Sequence, residues 1–515
     1  MSFLNSVLLE LKGTSFSKLC LVFFIAFIVI KSIKRVIRIL RLPRGPYGLP
    51  IVGYLPFLDE NQSKQYVKLG QKYGSPFSIR LGMYDFVVIN DRYHADKAFT
   101  NEELQARPPE GMMGGVLPSK CLFDLSGEWW KDQRRFFLSV LQQSGFNRNE
   151  LEAKIKVEVD NFVDELDMKK ECPFDISELI AASVSNNISI LTHGKRFDYT
   201  DKARTDVIRH ILGVSGSSVL LGMATVMPSL LKVLKFIGSK KYKSFIQALS
   251  NSNTFDKVKI GKDSDGYTSH YIDSFLAKME ERKRKGLSKE SFNLSILEAN
   301  IISLFSTGSA TVFSAMSWII LLLVKYPHYQ SKIREEISQV IGTRAPSYEE
   351  RLSLPLTMAF MYETFRYRTN VHLTIPRYNT KDVQLGDCLI PKGTRVIINS
   401  YAVDNDPSLW SDPQKFYPER FLSDDGMEFI LPSHFMPFGR GKRKCLGEIL
   451  AMTSMFQYIT SVLQKYTLEA YCGPENVCEE ANFGYLAFPA KMPQIVAKRI
   501  HLDIFSSTTC ENQQS

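Results

Sequence analysis

Apolar residues recur at helical spacing along most of the chain, most clearly between residues 292 and 324. Leu297, Ile301 and Leu304 fall on one face of that segment, which ends before Pro327. Serine, threonine and asparagine interrupt the segment too often for a bilayer span. The pattern therefore predicts one long core helix among many helices.

Alternating apolar positions predict strands in two places. Residues 77–81 and 86–90 alternate on either side of a short polar segment and predict a β-hairpin. Residues 383–390 and 394–398 flank Pro391-Lys392-Gly393 and predict a second hairpin. Together with the helices, these strands predict a mainly α fold with small β-sheets.

An uncharged apolar run covers residues 19–30, and a basic stretch follows it. The run is shorter than the roughly 20 residues that a spanning helix prefers, so a signal-peptide core and a helix in the membrane interface stay open as alternatives. A signal anchor is favoured, because no small-residue cleavage site follows and snorkelling side chains can extend the helix. The positive-inside rule then places the rest of the chain on the cytosolic face. The basic residues are Lys31, Lys34, Arg35, Arg38, Arg41 and Arg44.

The net charge of +10 is concentrated in this N-terminal part of the chain. Residues 1–44 hold eight Lys or Arg against one Asp or Glu, a balance of +7, which leaves about +3 for the rest. Such a distribution suits anionic lipid headgroups and gives no support for nucleic-acid binding. The sequence therefore predicts a membrane as a partner and no nucleic acid.

Three parts follow from this division of the chain. Residues 1–41 form the anchor and its basic stop segment, and residues 506–515 form a tail. Residues 42–505 form one large domain, which opens on a stiff hinge rich in proline and glycine at 42–50. A hydrophobic content of 44% and an aromatic content of 12% allow this domain a sizeable core.

Cysteine and histidine are scattered through the sequence rather than paired in metal-binding motifs. The eight cysteines include no C-x-x-C pair, and the eight histidines include no H-E-x-x-H motif. In a chain that faces the cytosol, this pattern predicts free thiols rather than disulfides, and it predicts no zinc site.

One cysteine has a distinctive setting, in the loop Phe438-Gly439-Arg440-Gly441-Lys442-Arg443-Lys444-Cys445-Leu446-Gly447. A helix-like segment begins directly after this loop, at Glu448. A thiolate that ligates haem iron must be held deprotonated, and backbone N–H groups after the cysteine can tune the sulfur. Gly441 and Gly447 suit a tight loop whose backbone turns with unusual dihedrals close to a macrocycle, and Arg443 suits a haem carboxylate. Cys445 is therefore the candidate iron ligand.

The loop resembles the haem-binding loop of the cytochrome P450 family, and the resemblance extends from about residue 42 to about residue 488. It implies that Phe438, Arg443 and Cys445 contact haem b, with the iron on Cys445. Glu363 and Arg366 lie three residues apart on a predicted helix and resemble the family's Glu-x-x-Arg pair. Arg420 resembles the third member of that buried charged network.

The resemblance also implies three further cofactor-binding residues, all directed at the haem propionates. Trp130 and Arg134 match the family's Trp-x-x-x-Arg helix, whereas the same spacing from Trp129 reaches the uncharged Gln133. Arg377, after Pro376, occupies the position of another propionate-binding basic residue.

A short segment of the long helix, residues 306–312, resembles the family's oxygen-activation segment. Gly308 and Thr311 match the family pattern, and Thr311 is the implied catalytic residue, a hydroxyl for proton delivery. Ala310 occupies the position of the usual acid, so the proton relay behind Thr311 differs from the family pattern. A threonine that bonds back to its own helix is the structural alternative.

Family resemblance implies a monooxygenase that inserts one oxygen atom into a lipophilic small molecule, a steroid, lipid or xenobiotic. Electrons would come from NADPH through a separate flavoprotein reductase, because no dinucleotide fingerprint is present in the chain. A reductase-independent peroxide isomerase or dehydratase and a non-enzymatic haem-binding protein are the alternatives. The microsomal drug- and steroid-hydroxylating branch is the most similar one, which implies the endoplasmic reticulum membrane.

The sequence also predicts a surface that binds the reductase and a pocket that binds the substrate. A basic face on the thiolate side would receive the reductase. The resemblance implies an apolar pocket that draws on the Cys121 side of the Trp130 helix, Leu304, Thr307, residues 371–375 and Tyr485-Leu486. An apolar segment at 211–236 is either a membrane contact or part of the helical core. The basic face consists of Lys131, Arg135, Lys442 and Lys444.

Overall fold

Helices make up most of the computed structural model, which describes residues 16–111, 121–143, 148–201, 226, 270–287, 290–483 and 486–500. This agrees with the predicted mainly α class. The helices are α1 Phe16–Arg41, α2 Gln62–Tyr73, α3 Arg92–Thr100, α4 Gly127–Gln143, α5 Arg148–Met168, α6 Ser177–His193, α7 Tyr271–Arg284, α8 Leu294–Lys325, α9 Pro327–Val340, α10 Pro355–Arg368, α11 Ser400–Asp404 and α12 Glu448–Lys465.

The strands form four small sheets. Within the largest, β1 and β2 are antiparallel, β6 runs parallel to β2, and β3 is antiparallel to β6. The other sheets are the pairs β4–β5, β7–β10 and β8–β9. The strands are β1 Phe77–Leu81, β2 Tyr84–Ile89, β3 Arg377–Tyr378, β4 Val383–Leu385, β5 Cys388–Ile390, β6 Arg395–Ile398, β7 Tyr466–Ala470, β8 Ala481–Phe483, β9 Ala487–Pro489 and β10 Ile495–Arg499.

The first predicted hairpin is confirmed as β1–β2, with a turn of two residues, Gly82-Met83. The second prediction is wrong in its pairing. The hairpin closes inside the first apolar run, between β4 and β5, because Gly386 adopts a φ of +64° and makes a tight turn there. The run that follows, β6, joins the large sheet instead.

The predicted long helix is confirmed as α8 and lies at the centre of the domain. Its apolar residues pack with those of α5, α10 and α12 in the main hydrophobic core, where Trp318, Ile319 and Leu321 are fully buried. By length and composition α8 is a candidate membrane span, but 78% of its most apolar stretch is buried inside the protein. It is therefore a core helix.

The N-terminal helix α1 differs from α8 because its apolar side chains are exposed. Large hydrophobic residues from Leu21 to Leu40 lie on its surface, which suits contact with lipid. At 26 residues, α1 extends well beyond the uncharged run and is about 39 Å long. Its basic end is held against the large sheet, where Arg35 and Arg38 both donate to Asp85, with N–O distances of 2.6–2.7 Å.

Candidate haem-binding site

The Cys445 loop has a backbone that demands glycine at one of the two expected positions. Gly441 has a φ of +70°, and a Cβ there would lie 2.4 Å from the carbonyl oxygen of Phe99 in α3. Gly447 has an ordinary φ of −93°, so the expectation of an unusual dihedral at Gly447 is wrong. A Cβ on Gly447 would meet no protein atom within 4 Å, which leaves open space on that side of the loop.

Cys445 lies between a short 3₁₀ helix, Gly441–Arg443, and the first turn of α12. Its backbone N–H donates to the carbonyl of Phe438 at 3.0 Å, which closes the loop. Cys445 is exposed at its surface, yet the protein around the thiol desolvates it and raises its pKa, and the backbone N–H of Gly447 and the charges of Arg134 and Lys444 act in the opposite direction. These donors favour the thiolate that a metal would require.

Trp130, rather than Trp129, faces this interior. The side chain of Trp130 is 6% exposed and that of Trp129 is 44% exposed. The guanidinium carbon of Arg443 lies 3.9 Å from the centroid of the Trp130 ring, and that of Arg134 lies 5.9 Å from it. The predicted Trp–Arg pair of α4 is therefore adjacent to the Cys445 loop, and Arg134 also donates to the carbonyl of Lys444.

Arg443 is fixed by the backbone and surrounded by other cations. Its Nε donates to the carbonyl of Gln105 at 2.8 Å, and Nη2 donates to that of Leu125 at 2.7 Å. Burial lowers the pKa of Arg443 to about 8, with further lowering from the positive charges of Arg107, Arg377 and Arg134. Asp124 acts in the opposite direction but does not outweigh them.

Arg377 is deeply buried at the edge of the same cluster, with 3% of its surface exposed. Its Nη1 donates only long hydrogen bonds of 3.3–3.4 Å, to the carbonyls of Phe99 and Leu104 and to the side chain of Gln105. Burial, and then the charge of Arg107, lowers the pKa of Arg377 to about 9. The cost of burying this positive charge is therefore only weakly offset by the hydrogen bonds that the guanidinium makes to the protein.

Arg107 belongs to this cluster and was missed by the sequence analysis. It donates to the carbonyls of Ile375 and Pro376, at 2.8 and 3.0 Å, and so ties the loop before α4 to the segment that carries Arg377. Its position before Pro108-Pro109 is a weak signal in the sequence. Its position in the arginine cluster becomes clear from the hydrogen bond to Ile375, a residue 268 positions away in the sequence.

The donor set fits a dianionic macrocycle with a metal at its centre. The positive charges of Arg107, Arg134 and Arg377 all lower the pKa of Arg443, and the carboxylate of Asp124 does not outweigh them, so this cluster of like charges favours an added anion. Haem carries two propionates of that charge and an iron that a thiolate can ligate. The open space beside Gly447 adjoins the same loop.

The long helix α8 contributes the opposite wall of this interior. Leu450, one turn beyond the Cys445 loop, packs with Phe305 and Ala310 of α8. Gly308 lets α6 approach closely, because a Cβ there would lie 2.7 Å from Cδ1 of Ile188. The helix segment singled out in the sequence therefore faces the α12 side of the core.

Thr311 makes a hydrogen bond within its own helix, which is the structural alternative to a role in proton delivery. Its Oγ1 donates to the carbonyl of Thr307, one turn earlier, at 2.8 Å. Ala310, in the acid's position, is 5% exposed and packs in an apolar cluster with Ile188, Phe305 and Leu486. A carboxylate in that place would be surrounded by hydrocarbon.

Asn370 is a second polar residue that the sequence analysis missed. Its Nδ2 donates to the carbonyl of Thr311 at 2.9 Å, across 59 residues. Its Oδ1 is buried and accepts no hydrogen bond in the described part of the structure. A buried oxygen of this kind is a natural site for an ordered water beside Thr311.

The predicted charged triad is present and buried. Arg366 forms a two-point ion pair with Glu363, with distances of 2.7 and 2.8 Å, and neither side chain is exposed. Nε of Arg420 lies 3.1 Å from Oε2 of Glu363, close enough for an ion pair although not aligned as a hydrogen bond. The backbone N–H of Tyr417 adds a donor to Glu363 at 2.9 Å. The triad joins α10 to the segment before the Cys445 loop.

The predicted basic face carries a carboxylate beside every cation. All four cations are exposed, and each lies within 4 Å of an acid. Because such exposed pairs are weak, a partner's carboxylates can replace the local ones at small cost. The pairs are Lys131–Glu128, Arg135–Asp132, Lys442–Glu102 and Lys444–Glu448.

Three of the expected pocket residues, Leu304, Val371 and Leu486, fall into two adjoining apolar groups, whereas Leu373 packs in another cluster with strands β1 and β2. Leu304 packs with Trp130 and Leu297, whereas Val371 and Leu486 pack with Ala310. The partly buried Leu450 contacts both groups. Tyr485 and the segment 211–236, apart from Val226, lie outside the described residues.

Comparison with known proteins agrees with this site. A family model described as Cytochrome P450 matches residues 43–494. Cytochrome P450 2J2 from Homo sapiens is 33% identical over 441 residues, which cover 82% of the chain and 85% of that relative. Cytochrome P450 2D10 from Rattus norvegicus is 30% identical over 464 residues, 86% of the chain and 90% of the relative. Cytochrome P450 2A4 from Mus musculus is 32% identical over 441 residues, which cover 84% of the chain and 88% of that relative.

Proposed function

Because the chain belongs to the cytochrome P450 family, we propose that it inserts one oxygen atom from dioxygen into a lipophilic small molecule, using NADPH-derived electrons from a separate reductase. Family membership makes it a cytochrome P450 monooxygenase with haem iron. The observation that carries the proposal for this chain is the Cys445 loop, closed at Phe438 and bordered by the arginine cluster. Substrate class and electron donor rest on the arguments below.

The cofactor assignment follows from the donors that surround this loop. Cys445 would hold the iron of haem b, with Phe438 packed at the start of the loop. When bound through a thiolate, the haem supplies the activation of dioxygen. Arg134, Arg377 and Arg443 would bind its propionates, with Trp130 donating through its indole N–H.

Arg107 joins this proposed set of propionate partners. Its charge lowers the pKa of both Arg377 and Arg443, so a nearby anion would relieve the repulsion within the cluster. Charge-assisted hydrogen bonds from several guanidinium groups would then hold the cofactor in one orientation.

Proton delivery is assigned to Thr311 without a neighbouring acid. Its hydroxyl can rotate away from the carbonyl of Thr307 and donate into the interior. The unpartnered Oδ1 of Asn370 can hold a water molecule that returns a proton to Thr311. A hydroxyl group on the substrate would serve the same purpose.

Peroxide rearrangement is the second candidate function, and the surroundings of Ala310 favour it. An oxygenated substrate needs no proton relay and no reductase, which agrees with an apolar cluster where the family usually has an acid. Thr311 weighs against it, because a hydroxyl at this position has no evident use in that chemistry.

A separate flavoprotein reductase would dock on the basic face near the thiolate. Reversal of charge at Lys442, which is 59% exposed, should slow reduction of the haem, because a partner's acidic surface would meet repulsion. Lys498→Glu is the matched control, since Lys498 is 51% exposed and also pairs with a glutamate. Equal reduction rates for Lys442→Glu and Lys498→Glu, measured by stopped-flow at low salt, would place the docking surface elsewhere.

We infer a membrane-anchored protein with its large domain on the cytosolic face of the endoplasmic reticulum. The exposed apolar side chains of α1 support the anchor, and the basic residues after it support the orientation. The proposed organisation is an anchor at 1–41, a haem domain at 42–505 and a tail at 506–515.

The substrate class is proposed from the lining of the interior. Val371, Leu486, Phe305 and Ala310 offer hydrocarbon rather than hydrogen-bonding groups, so burial of apolar surface would dominate substrate binding. A steroid, a lipid or a foreign lipophilic compound fits that description.

Isotope labelling tests the proposed reaction. The purified protein, a reductase and NADPH are incubated with heavy-isotope dioxygen and a pool of lipophilic compounds, and the products are analysed by mass. One heavy oxygen atom in a product that requires the reductase is the expected result. Unlabelled products that form without the reductase would replace the proposal by peroxide rearrangement.

A further inference from the structure

A second cluster of metal-binding side chains lies away from the Cys445 loop, where α3 meets the turn of the β4–β5 hairpin. His94 of α3, Asp387 of the turn and Cys388 of β5 offer one nitrogen, one oxygen and one sulfur atom within 4.8 Å of one another. His94 is buried, Asp387 is exposed and Cys388 is partly exposed. The cluster thus lies at the protein surface, with a buried imidazole and two ligand side chains that solvent can reach.

Two of the three distances between ligand atoms in this cluster match a tetrahedral zinc site. Nε2 of His94 lies 3.2 Å from Oδ1 of Asp387, and Sγ of Cys388 lies 3.7 Å from that same oxygen. Zinc bonds of about 2.0–2.2 Å to nitrogen or oxygen and about 2.3 Å to sulfur, at tetrahedral angles, separate such ligands by about 3.3–3.7 Å. Nε2 of His94 and Sγ of Cys388 lie within 4.8 Å of each other, so closing that pair by up to about 1 Å would bring all three atoms to tetrahedral separations.

The imidazole of His94 is oriented for this purpose by a carboxylate behind it. Nδ1 of His94 lies 2.9 Å from Oδ2 of Asp91, which leaves Nε2 directed at the hairpin turn. A carboxylate behind the ligating histidine is a recurrent feature of zinc sites. Ser75 in turn donates to Asp91 at 2.6 Å and holds that carboxylate in place.

The hairpin turn is shaped to admit the imidazole. Gly386 has a φ of +64°, and a Cβ at that position would lie 2.9 Å from Nε2 of His94. Any side chain there would collide with the imidazole of His94 and with the ring of Tyr93, whose Cε1 would lie 3.0 Å from the Cβ. The turn glycine thus serves both the hairpin geometry and the approach of His94.

We propose that His94, Asp387 and Cys388 bind one Zn²⁺ ion, with a water molecule in the fourth position. An imidazole, a carboxylate and a thiolate form a mixed donor set that suits zinc. The ion would clamp α3 to the β4–β5 hairpin. Because α3 supports the Cys445 loop through the contact of Gly441 with Phe99, the clamp would stabilise the floor of the haem site.

Metal analysis of the holoprotein tests this site directly. After removal of loosely bound metal with a chelator, the protein is titrated with Zn²⁺, and zinc is measured by mass spectrometry relative to haem iron. The expected result is one tightly bound zinc per haem. Zinc K-edge X-ray absorption should then show one sulfur neighbour, and the haem iron does not interfere at that edge.

Two conservative variants identify the ligands. Cys388→Ser and Asp387→Asn should weaken zinc binding by more than the about 10–100-fold that loss of an outer partner costs. Asp387 is 87% exposed in its side chain, so its variant should fold normally. Cys472→Ser, at an exposed cysteine elsewhere, is the control and should bind zinc as the wild type does.

Thermal unfolding with added Zn²⁺ supplies a second readout. Zinc should raise the unfolding temperature of the wild type and of Cys472→Ser, but not that of Cys388→Ser. Zinc without a sulfur neighbour, or equal affinity in all variants, would overturn the proposal. The three side chains would then form only an ion pair and a weak thiol hydrogen bond.

Discussion

At the scale of single residues, the proposed chemistry is assigned to Cys445 and Thr311. The position of Cys445 follows from its own loop, which closes on Phe438 and forces a positive φ at Gly441. Thr311 depends on its surroundings, since its hydroxyl is bonded within α8 and Asn370 holds its carbonyl. A substitution at Cys445 therefore tests the iron ligand itself, whereas a substitution at Thr311 must separate its hydroxyl chemistry from its hydrogen bond within α8.

Replacement of Thr311 by alanine separates its two roles. If the hydroxyl delivers protons, Thr311→Ala should lower product formation by about 100-fold, at the lower end of the contribution of a general acid, and raise peroxide release per NADPH. Thr311→Ser keeps a hydroxyl and should restore coupling. Unchanged coupling in Thr311→Ala would leave only the helix hydrogen bond to Thr307 as its role.

Asp404 gives the fold a pH dependence of predictable sign. This aspartate is buried, and burial raises its pKa to about 7, against the hydrogen bond from Thr369 and the charge of Arg366. Because the folded-state pKa lies above the unfolded value, the stability that the protonated form contributes is present below about pH 4 and is lost as the pH rises through about 7.

Asp404→Asn should remove that loss. Chemical denaturation of the wild type between pH 5 and pH 8, in the range about the pKa, should show falling stability that the variant does not share. The asparagine keeps an oxygen that accepts the hydrogen bond from Thr369, so the neutral form is well matched. Parallel pH profiles for the two proteins would contradict this assignment.

At the scale of elements, buried charges hold α10 and the segment around Arg420 in one arrangement. Glu363 accepts from Arg366 and from the backbone of Tyr417, while Arg420 lies beside the same carboxylate. A buried network of this kind specifies position, because each member is costly without its partners.

Glu363→Gln leaves two guanidinium groups without a counter-charge in the interior. The expected loss of folding stability is about 3–5 kcal/mol, typical of a broken buried ion pair. The exposed Glu469→Gln, which breaks the pair with Lys498, should cost less than about 1 kcal/mol. Denaturant unfolding measures both, and similar losses for the two variants would contradict a structural role for the triad.

The anchor helix makes a comparable prediction. Asp85 is 7% exposed and receives Arg35 and Arg38, so Asp85→Asn should release the basic end of α1 from the large sheet. A loss of about 1.4 kcal/mol would increase trypsin cleavage at this basic end about tenfold in the membrane-bound protein, because the open form would be more populated.

Asp382→Asn is the control for that experiment. Asp382 is 44% exposed, pairs with the exposed Arg41 at the end of α1, and accepts a hydrogen bond from the backbone N–H of Lys392 at 2.7 Å. Its loss should change the cleavage rate little. Equal rates for the two variants would show that Asp85 does not fix the helix.

At the scale of the whole molecule, the sequence predicts what is encoded in contiguous segments. The long helix α8, the first hairpin, the Cys445 loop and the Glu363–Arg366 spacing all depend on neighbours within one or two turns. Family resemblance, carried by the same short motifs, identified the class of the domain.

The rest depends on contacts between distant parts of the chain. Arg107 reaches the Arg377 segment across 268 residues, and Asn370 reaches α8 across 59. His94 meets Asp387 across 293 residues, and short zinc-binding motifs cannot reveal a cluster of this kind. For that reason the sequence predicted no zinc site. The predicted pairing of the second hairpin was wrong for a local reason, because Gly386 makes a turn inside what the sequence pattern presents as one apolar run.

The central claim is that Cys445 holds the haem iron as a thiolate, and iron K-edge X-ray absorption of the holoprotein tests it most directly. We predict one sulfur neighbour of iron in the wild type and in Cys172→Ser, an exposed-cysteine control, and none in Cys445→Ser. A sulfur neighbour that persists in Cys445→Ser, or its absence from the wild type, would contradict the account.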